Sequence, residues 1–398
     1  MAELPVSIPH AGVISCVEMH TSGEPTRIVY AGHPQLTGTL LEQRAEAKAK
    51  YDHIRRRLNW EPRGHFDMYG AILRPETELT ATGKAHIGVL FTTNDGYSTM
   101  CGHATIALGR LLVDSDERIF AQRSKLEYDP ESQTTQVKLH APCGLLDVTV
   151  PTLKDGRRSD PSRPVSFTSV PSFATGISVN IPIGPEYQWP ELRGRHSVTA
   201  DFSYGGAFFC LISLGELGFS GRLNQVDLAK TNIATKKLKA AIVANPDLQS
   251  LFQHPIEGDL SFLYGVMIVD QQLGQPSSDS DSAETGLYYF SGQQIDRSPT
   301  GSGVAARVAL AYAKDPNFTT KRTYHSLVSH AMTTKSNNGG FIGTVVQKVE
   351  ADHPFPVVLV EVKGSAYYTG FSQYVVEDSD PLGDDGFIFE KLSAPLTS

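Results

Sequence analysis

CGHATIALGRLL at residues 101–112 and TGSGVAARVALA at residues 300–311 repeat one pattern within a chain of 398 residues. In both stretches a cysteine or threonine and then a glycine precede small apolar residues at helical spacing, which predicts a helix in each. Short matches of this kind also arise by chance between unrelated strand–loop–helix units. The residues around the two stretches therefore decide whether the repeat is real.

The segments that precede the two predicted helices support a true repeat. The apolar run IGVLF ends at Phe91 and the run GLYYF ends at Phe290, and nine residues separate each phenylalanine from the following cysteine or threonine. Further upstream, each half carries a buried, strand-like run with a Tyr-Gly pair, at 69–70 and at 264–265. This equal spacing favours two related α/β domains that face each other.

The chain is expected to divide into two domains of mixed α/β class. We expect the first domain to hold residues 1–200 together with 376–398, and the second to hold residues 201–375. The segment DFSYGGAFFCLISLG at 201–215 begins a new strand, and we assign the crossover into the second domain to it.

Composition excludes several classes of protein. The chain has 35 Lys and Arg against 43 Asp and Glu, a net charge of −8, whereas binding to nucleic acid or anionic membranes needs a basic surface. No run approaches the roughly 18 apolar residues of a membrane span. The first residues, MAELPVSIPHAGV, lack the basic and apolar regions of a signal peptide. We therefore expect a cytoplasmic protein; a homodimer is one assembly that the sequence leaves open.

The four cysteines, Cys16, Cys101, Cys143 and Cys210, are scattered and form no CxxC pair. A disulfide framework or a structural zinc cluster is therefore not expected. Cys16 and Cys210 lie in apolar, strand-like runs and are predicted core residues. Cys143 lies in a turn before a strand, where a structural role is favoured over reactivity.

Cys101 stands where a loop enters a helix, and this position has chemical consequences. Free N–H groups at a helix start stabilise an anion and are expected to lower the pKa of a thiol placed there. Gly102 lets the backbone approach a ligand, and His103 can donate a hydrogen bond to a substrate or share its proton. The alternative is a buried cysteine that packs as a small apolar group, the commoner fate of a lone cysteine.

Thr300 holds the matching position in DRSPTGSG at 296–303, where Pro299 stiffens the approach and two glycines open the backbone. The structural explanation is a helix N-cap, a role for which threonine is well suited. Threonine is a poor general base, because its alkoxide does not form near neutrality without an adjacent base. Two helix starts aimed at one cleft would make a carboxylate site under either interpretation.

Two other motifs carry weaker signals. His20 and Glu24 have the i, i+4 spacing of a helical metal site, but a glycine and a proline break any helix there, so no metal is expected. Glu24 and Arg27 are instead expected to brace the loops near the cleft. GSGVAA at 301–306 lacks the GxGxxG spacing of a dinucleotide site, so no NAD is expected.

Taken in order along nearly the whole chain, the motifs resemble the landmarks of the proline racemase family, which also contains hydroxyproline epimerases and trans-3-hydroxy-L-proline dehydratases. The matching segments are HTSGEPTRIV at 20–29, MCGHATIALGR at 100–110, YGGAF at 204–208, DRSPTGSG at 296–303, GSAYYTG at 364–370 and DP at 380–381. The resemblance implies two similar domains of the diaminopimelate epimerase-like fold, each a curved sheet around a central helix. It also implies an active site between the domains and no cofactor.

The resemblance further implies roles for particular residues. The catalytic pair would be Cys101, as the base, and Thr300. The implied substrate-binding residues are Gly102, His103, Phe290, Asp296, Gly301 and Ser302. Racemases and epimerases of the family carry a second cysteine where this chain has Thr300, so racemisation would lack a base for the opposite face of the substrate. The cysteine–threonine pair resembles that of the trans-3-hydroxy-L-proline dehydratases.

The stereochemistry of trans-3-hydroxy-L-proline gives an independent reason why one thiol is enough. Its carboxylate and hydroxyl lie on opposite faces of the ring, so the α-hydrogen and the departing hydroxyl share a face. The expected reaction is a syn elimination, in which Cys101 takes the α-proton and returns it to the leaving hydroxyl. The product would be an enamine that tautomerises to 1-pyrroline-2-carboxylate.

Three other functions stay open at this stage. An isomerase of proline or 4-hydroxyproline, which Thr300 disfavours, would introduce deuterium from solvent at Cα with inversion. A cysteine hydrolase would use Cys101 with a histidine and release a carboxylate from an amide or ester. A non-catalytic binding protein would keep the cleft and bind a planar ring carboxylate without turnover.

Overall fold

The computed structural model of the protein describes residues 12–318, 320–333 and 339–392. Residues 1–11 and 393–398, which are predicted to belong to the first domain, lie outside the described residues. Residues 1–11 include most of the N-terminal segment MAELPVSIPHAGV. Within the described part of the chain, no helix is long and apolar enough to cross a membrane.

Strands and helices alternate along the described residues. The strands are β1 Val13–Thr21, β2 Glu24–Ala31, β3 Gly70–Arg74, β4 Ile87–Thr92, β5 Tyr97–Ser98, β6 Glu127–Asp129, β7 Thr134–Ala141, β8 Gly144–Pro151, β9 Val165–Thr168, β10 Ser172–Pro182, β11 Ser197–Tyr204, β12 Phe208–Ser213, β13 Leu263–Asp270, β14 Ser282–Phe290, β15 Gln294–Ile295, β16 Arg322–His325, β17 Phe341–Val349, β18 Val357–Gly364 and β19 Ala366–Val375. The helices are α1 Leu40–Lys50, α2 Asp52–Asn59, α3 Glu78–Ala81, α4 Gly102–Asp114, α5 Leu228–Ala244, α6 Gly301–Lys314, α7 Leu327–Met332 and α8 Phe389–Leu392. Short 3₁₀ turns lie at Arg123–Lys125, Pro185–Tyr187, Pro190–Leu192, Leu223–Gln225, Pro246–Phe252 and Gly258–Leu260.

The repeat predicted from the sequence is present in the strand pairing. In the first half β2 runs parallel to β3, β3 pairs antiparallel with β4, and α4 follows after the short strand β5. In the second half β12 runs parallel to β13, β13 pairs antiparallel with β14, and α6 follows after β15. The predicted helices at 101–112 and 300–311 are therefore α4 and α6, at equivalent places in two similar units.

Each of these two helices is the centre of its half. Strands β1, β2, β7, β8, β9 and β19 contact α4, and strands β10, β11, β12, β17 and β18 contact α6. Both helices consist mainly of small and aliphatic residues, and nearly all of these are buried. A helix that is apolar on every side is stable only when it is enclosed. The prediction of a curved sheet around a central helix in each half is confirmed.

Strand exchange links the two halves. β10 lies before residue 201 and β11 spans it, yet both contact α6, whereas β19 lies before residue 376 but pairs with β1 and contacts α4. The predicted boundaries at 200 and 375 do not follow these contacts, because a hydrophobic pattern does not tell which sheet a strand will join. We propose boundaries close to Val170 and Gly364, which assign β1–β9 and β19 to the unit of α4 and β10–β18 to the unit of α6.

The two central helices meet end to end at a pair of glycines. A Cβ atom built on Gly102 would lie 2.3 Å from the Cα atom of Gly301, and one built on Gly301 would lie 2.6 Å from the Cα atom of Gly102. Real Cβ atoms do not approach other atoms within 3.0 Å. Because the neighbour is backbone in both cases, only glycine fits at either position.

Gly301→Ala should therefore destabilise the protein. The added methyl group must push the starts of α4 and α6 apart, which we expect to lower the free energy of unfolding by about 1–3 kcal/mol. Gly303→Ala, on the same helix, is the matched control, because its methyl group would chiefly displace the flexible end of Met267. Chemical denaturation measures both. A Gly301→Ala variant as stable as the control would contradict the close contact.

Candidate functional site

A small cavity lies where the starts of α4 and α6 converge. The residues that line it are Tyr69, Met100, Cys101, Gly102, His103, Tyr264, Tyr288, Phe290, Asp296, Thr300, Gly301 and Ser302. Eight of them are the predicted site residues: Cys101, Gly102, His103, Phe290, Asp296, Thr300, Gly301 and Ser302. The structure thus brings together every residue that the sequence analysis placed in the site, and all of them are buried.

Cys101 is the N-cap of α4, and its sulfur lines the cavity. The backbone of Cys101 is extended, and its Sγ atom accepts a hydrogen bond from the N–H of Ala104 at 3.4 Å. The Nδ1 atom of His103 lies 3.2 Å from the same sulfur. The alternative of a cysteine that only fills space does not account for a sulfur fixed by two polar neighbours at a cavity wall.

Burial dominates the electrostatics of the thiol. It raises the pKa of Cys101 well above the ordinary value of 9.0, against the lowering effect of the Ala104 N–H. The helix start lowers this pKa as predicted, through the Ala104 N–H, but loss of water outweighs that one amide dipole, so the expected net lowering is not found in the closed site. Burial also lowers the pKa of His103 to about 3, so the imidazole is neutral at physiological pH. A cation in the cavity would favour the thiolate.

Thr300 precedes α6 but does not cap it. Its φ of 63° and ψ of 92° lie in a region that β-branched residues rarely adopt, and its side chain makes no capping bond to the helix. Instead the Oγ1 hydroxyl donates a hydrogen bond to the Oδ2 atom of Asp296 at 2.7 Å. The N-cap explanation is therefore wrong, and Thr300 leaves the first N–H groups of α6 uncapped at the cavity.

Asp296 is the acidic group of the cavity wall. Its Oδ1 atom accepts a hydrogen bond from the N–H of Ser298 at 2.7 Å, in addition to the bond from Thr300 to Oδ2. Burial raises the pKa of Asp296 to about 6, although these hydrogen bonds and the nearby Arg297 oppose the shift. Asp296 is therefore ionised at neutral pH and can hold a cationic nitrogen in the cavity.

Glu24 joins the two halves just behind the site. Its Oε2 atom accepts a hydrogen bond from the N–H of Arg297 at 2.6 Å. The Arg297 side chain extends the link through an ion pair with Asp67 at 2.7 Å. Burial, and after it the negative charge of Asp296, raises the pKa of Glu24 well above its ordinary value of 4.5. Glu24 thus braces the DRSP loop, as the sequence analysis expected.

The other motif residues have structural contacts. Arg27 forms an ion pair with Glu18 at 2.7 Å and donates to the carbonyl oxygens of Leu58 and Arg63, so it braces the first half alone. The ring of His20 stacks on Tyr367. Among the described residues, no three His, Cys, Asp or Glu side chains form a group that could hold a metal ion.

The remaining cysteines lie where the sequence analysis placed them. Cys16 and Cys210 are fully buried in strands. Cys143 occupies the turn between β7 and β8 and is partly buried. Burial raises the pKa of Cys143 to about 12, which does not favour a reactive thiol.

Comparison with known proteins identifies the family. The model of the family described as proline racemase matches residues 16–388. The chain belongs to the proline racemase family. Family members named trans-L-3-hydroxyproline dehydratase are 39% identical in Bos taurus, over 97% of this chain and 98% of the relative, and 40% identical in Mus musculus, over 98% of both. The Homo sapiens protein named trans-3-hydroxy-L-proline dehydratase is 39% identical over 97% of this chain and 98% of its own length.

Solved structures of this family share the fold. A hydroxyproline epimerase from Agrobacterium vitis, with bound trans-4-hydroxy-L-proline, aligns with a TM-score of 0.70 and 20% identity over 96% of both chains. A probable proline racemase from Agrobacterium radiobacter K84, with bound carbonate, has a TM-score of 0.70 and 23% identity over 96% of this chain and 98% of that one. The predicted fold class is therefore confirmed.

Sequence reasoning missed four residues of the cavity wall: Tyr69, Met100, Tyr264 and Tyr288. Tyr69 and Tyr264 belong to the repeated Tyr-Gly pairs, which predicted only strands. The tyrosine of each pair lies in the wall of the cavity, close to the start of one of the equivalent strands β3 and β13. The repeat was therefore a usable signal for two of the four residues.

Glu24→Gln and Glu24→Ala together test the brace behind the site. Glutamine keeps an oxygen that accepts from the Arg297 N–H, so we expect a stable protein. Alanine leaves that buried N–H without an acceptor, which should lower the free energy of unfolding by about 1–3 kcal/mol. Thermal or chemical denaturation measures both variants. Equal losses in the two would contradict the bracing role.

The same pair of proteins has an expected pH dependence. Because the folded-state pKa of Glu24 is raised, the stability that the parent gains from the protonated carboxyl is present below pH 4.5 and is lost as the pH rises through the folded-state pKa. Glu24→Gln has no such loss. Its stability relative to the parent should therefore improve as the pH rises, and a difference that stays constant would contradict the raised pKa.

Proposed function

We propose that this protein is a hydro-lyase that dehydrates trans-3-hydroxy-L-proline to 1-pyrroline-2-carboxylate by way of the 2-pyrroline enamine. The observation that carries the proposal is the pairing of one cavity thiol, Cys101, with Thr300 at the second helix start. The dehydratase names of relatives that match this chain over nearly its whole length support it.

The cavity suits a small cyclic amino acid. The uncapped N–H groups at the start of α6 would hold the substrate carboxylate, since a helix start favours an anion. The ionised Asp296 would accept a hydrogen bond from the ring ammonium. Phe290 and the backbone of the two facing glycines would enclose the ring carbons. These contacts fix the Cα–H bond relative to the Cys101 sulfur.

Substrate binding would itself prepare the base. The resting thiol is protonated because it is buried. The ring ammonium would bring a positive charge that favours the thiolate, and the thiol proton would leave to solvent as the substrate enters. The Cys101 thiolate then removes the α-proton, and negative charge develops on the substrate carboxylate. The dipoles of the helix starts stabilise that charge without reorganisation, because they already point into the cavity. The neutral His103 holds the sulfur in position.

The state of Thr300 favours a lyase over an isomerase. Inversion at Cα requires an acid on the opposite face of the ring, and the Thr300 hydroxyl already donates its proton to Asp296. Among the described residues that line the cavity, Cys101 is the one thiol. The syn elimination of trans-3-hydroxy-L-proline needs chemistry on one face only, which this arrangement can supply.

Incubation with trans-3-hydroxy-L-proline tests the function directly. The cyclic imine product is trapped with o-aminobenzaldehyde and measured by absorbance. We expect turnover by the parent protein and a loss of at least about 10³-fold in Cys101→Ser, because a serine hydroxyl is a far weaker base. Cys143→Ser, which alters a thiol outside the cavity, should keep the activity. Full activity in Cys101→Ser would refute the assigned base.

Thr300→Cys tests the facial argument. The second thiol restores the pair of bases found in the family's isomerases, so we expect deuterium from heavy water at Cα of L-proline, with detectable inversion. The parent protein should give no inversion under the same conditions. Mass spectrometry and chiral chromatography measure the two effects. Inversion by the parent would instead support a proline racemase or 4-hydroxyproline epimerase.

Two further expectations from the sequence stay predictions. The protein is expected to act in the cytoplasm on a small-molecule substrate. A homodimer is the assembly to be tested. Sedimentation of the purified protein and localisation of a tagged chain would measure each property.

A further inference from the structure

Tyr69 has features that the mechanism so far does not use. Its side chain is 2% exposed and lines the cavity, and its hydroxyl makes no hydrogen bond of standard geometry to the described residues. The ring packs edge-on against His103, with centroids 4.6 Å apart, and lies 6.1 Å from the ring of Phe290. The hydroxyl has Cys101 and Ser98 as side-chain hydrogen-bond neighbours, and it lies at the cavity wall, where a ligand group can also reach it.

The Tyr69 hydroxyl lies beside the catalytic sulfur. It is close enough to the Cys101 thiol to lower the pKa of that thiol, whereas the thiol is among the groups that raise the pKa of Tyr69. The backbone of Tyr69 is fixed by a hydrogen bond from the N–H of Arg27 to its carbonyl oxygen at 3.0 Å. The hydroxyl therefore has a defined position on the Cys101 side of the cavity.

We propose that Tyr69 is the general acid that protonates the departing hydroxyl of the substrate. This inference rests on the proposed dehydratase function. In a syn elimination the leaving oxygen is on the same face as the α-hydrogen, which is the face where Cys101 and Tyr69 lie together. Cys101 would then remove the proton from Cα, and Tyr69, rather than Cys101 as first expected, would donate a proton to the oxygen on the next carbon.

In the proposed step, each bond that breaks is matched by a bond that forms. The Cα–H bond breaks and its proton passes to the Cys101 sulfur, while the electron pair forms the Cα–Cβ double bond. The Cβ–O bond breaks, and the oxygen leaves as water with the proton of Tyr69. The Cys101 thiol then returns a proton to the tyrosinate, which restores both groups. Burial raises the pKa of Tyr69 above its ordinary value of 10.0, so its proton has to pass to the oxygen as the Cβ–O bond breaks.

Other polar groups of the cavity are less well placed for this step. The side-chain hydrogen-bond contact with the Cys101 thiol is that of Tyr69. The Tyr264 hydroxyl contacts Ser98 and Tyr69 instead, and the Tyr288 hydroxyl makes no hydrogen bond of standard geometry to the described residues. We assign these two hydroxyls to orientation of the substrate. The neutral His103 is engaged with the sulfur.

A change of leaving group tests the assignment. Fluoride departs without a proton, so trans-3-fluoro-L-proline needs Cys101 but not an acid. We expect Tyr69→Phe to lower the rate of water loss from trans-3-hydroxy-L-proline by about 10²–10⁴-fold. The same variant should lower fluoride release from the fluoro compound by less than about tenfold, because the Cys101 base stays in place and loses only the hydroxyl contact that lowers its pKa. Imine trapping and ¹⁹F NMR measure the two reactions.

Tyr288→Phe is the matched control, since it deletes the same atom from the same cavity away from the thiol. It should change the two reactions in equal proportion. Equal losses of water and fluoride in Tyr69→Phe, or a loss of water elimination below about tenfold, would overturn the acid role. Water loss without fluoride release by the parent would also overturn it. A parent that does not dehydrate trans-3-hydroxy-L-proline contradicts the proposed function itself.

Discussion

The contact between Gly102 and Gly301 is the constraint on which the site depends. It brings the positive ends of α4 and α6 together, each equivalent to about half an elementary charge, inside a region from which water is excluded. Two like poles at this distance repel each other unless an anion lies between them. The family fold therefore builds a site whose own electrostatics favour a carboxylate before any side chain is considered, and the glycines at 102 and 301 keep the space for it.

The acidic side chains near this contact set the ionisation of the site. Asp296 and Glu24 lie buried next to the helix ends, and both have a raised pKa for the same physical reason, loss of water. Their charge also raises the pKa of Cys101. In the proposed mechanism, the closed site holds its thiol protonated until a ligand brings a cation to Asp296 and an anion to the helix starts. Substrate charge, rather than a permanent thiolate, would then make the base.

Much of the fold and most of the site could be predicted from the sequence, because local patterns carried them. The two helix starts, the glycines and Asp296 all lie within two short motifs. What failed depends on parts of the chain that are distant in sequence. The pKa of Cys101 is set by the strands and the second half that bury it, and Tyr69 reaches the cavity through the pairing of β3 with β2 and β4. The sheet that β10, β11 and β19 each join likewise depends on partner strands and helices that are distant in sequence.

The side chain at residue 300 can decide whether this fold supports inversion at Cα or elimination. Thr300 has a positive φ of 63° directly before Gly301, the residue at which α6 meets α4. A thiol at this place would face the substrate as a second acid, whereas the threonine hydroxyl is turned to Asp296 at 2.7 Å. In the proposed mechanism, a carbanion formed by Cys101 would have no proton to accept on the far face. Its remaining favourable path would be to expel a leaving group on the near face, to which we assign Tyr69.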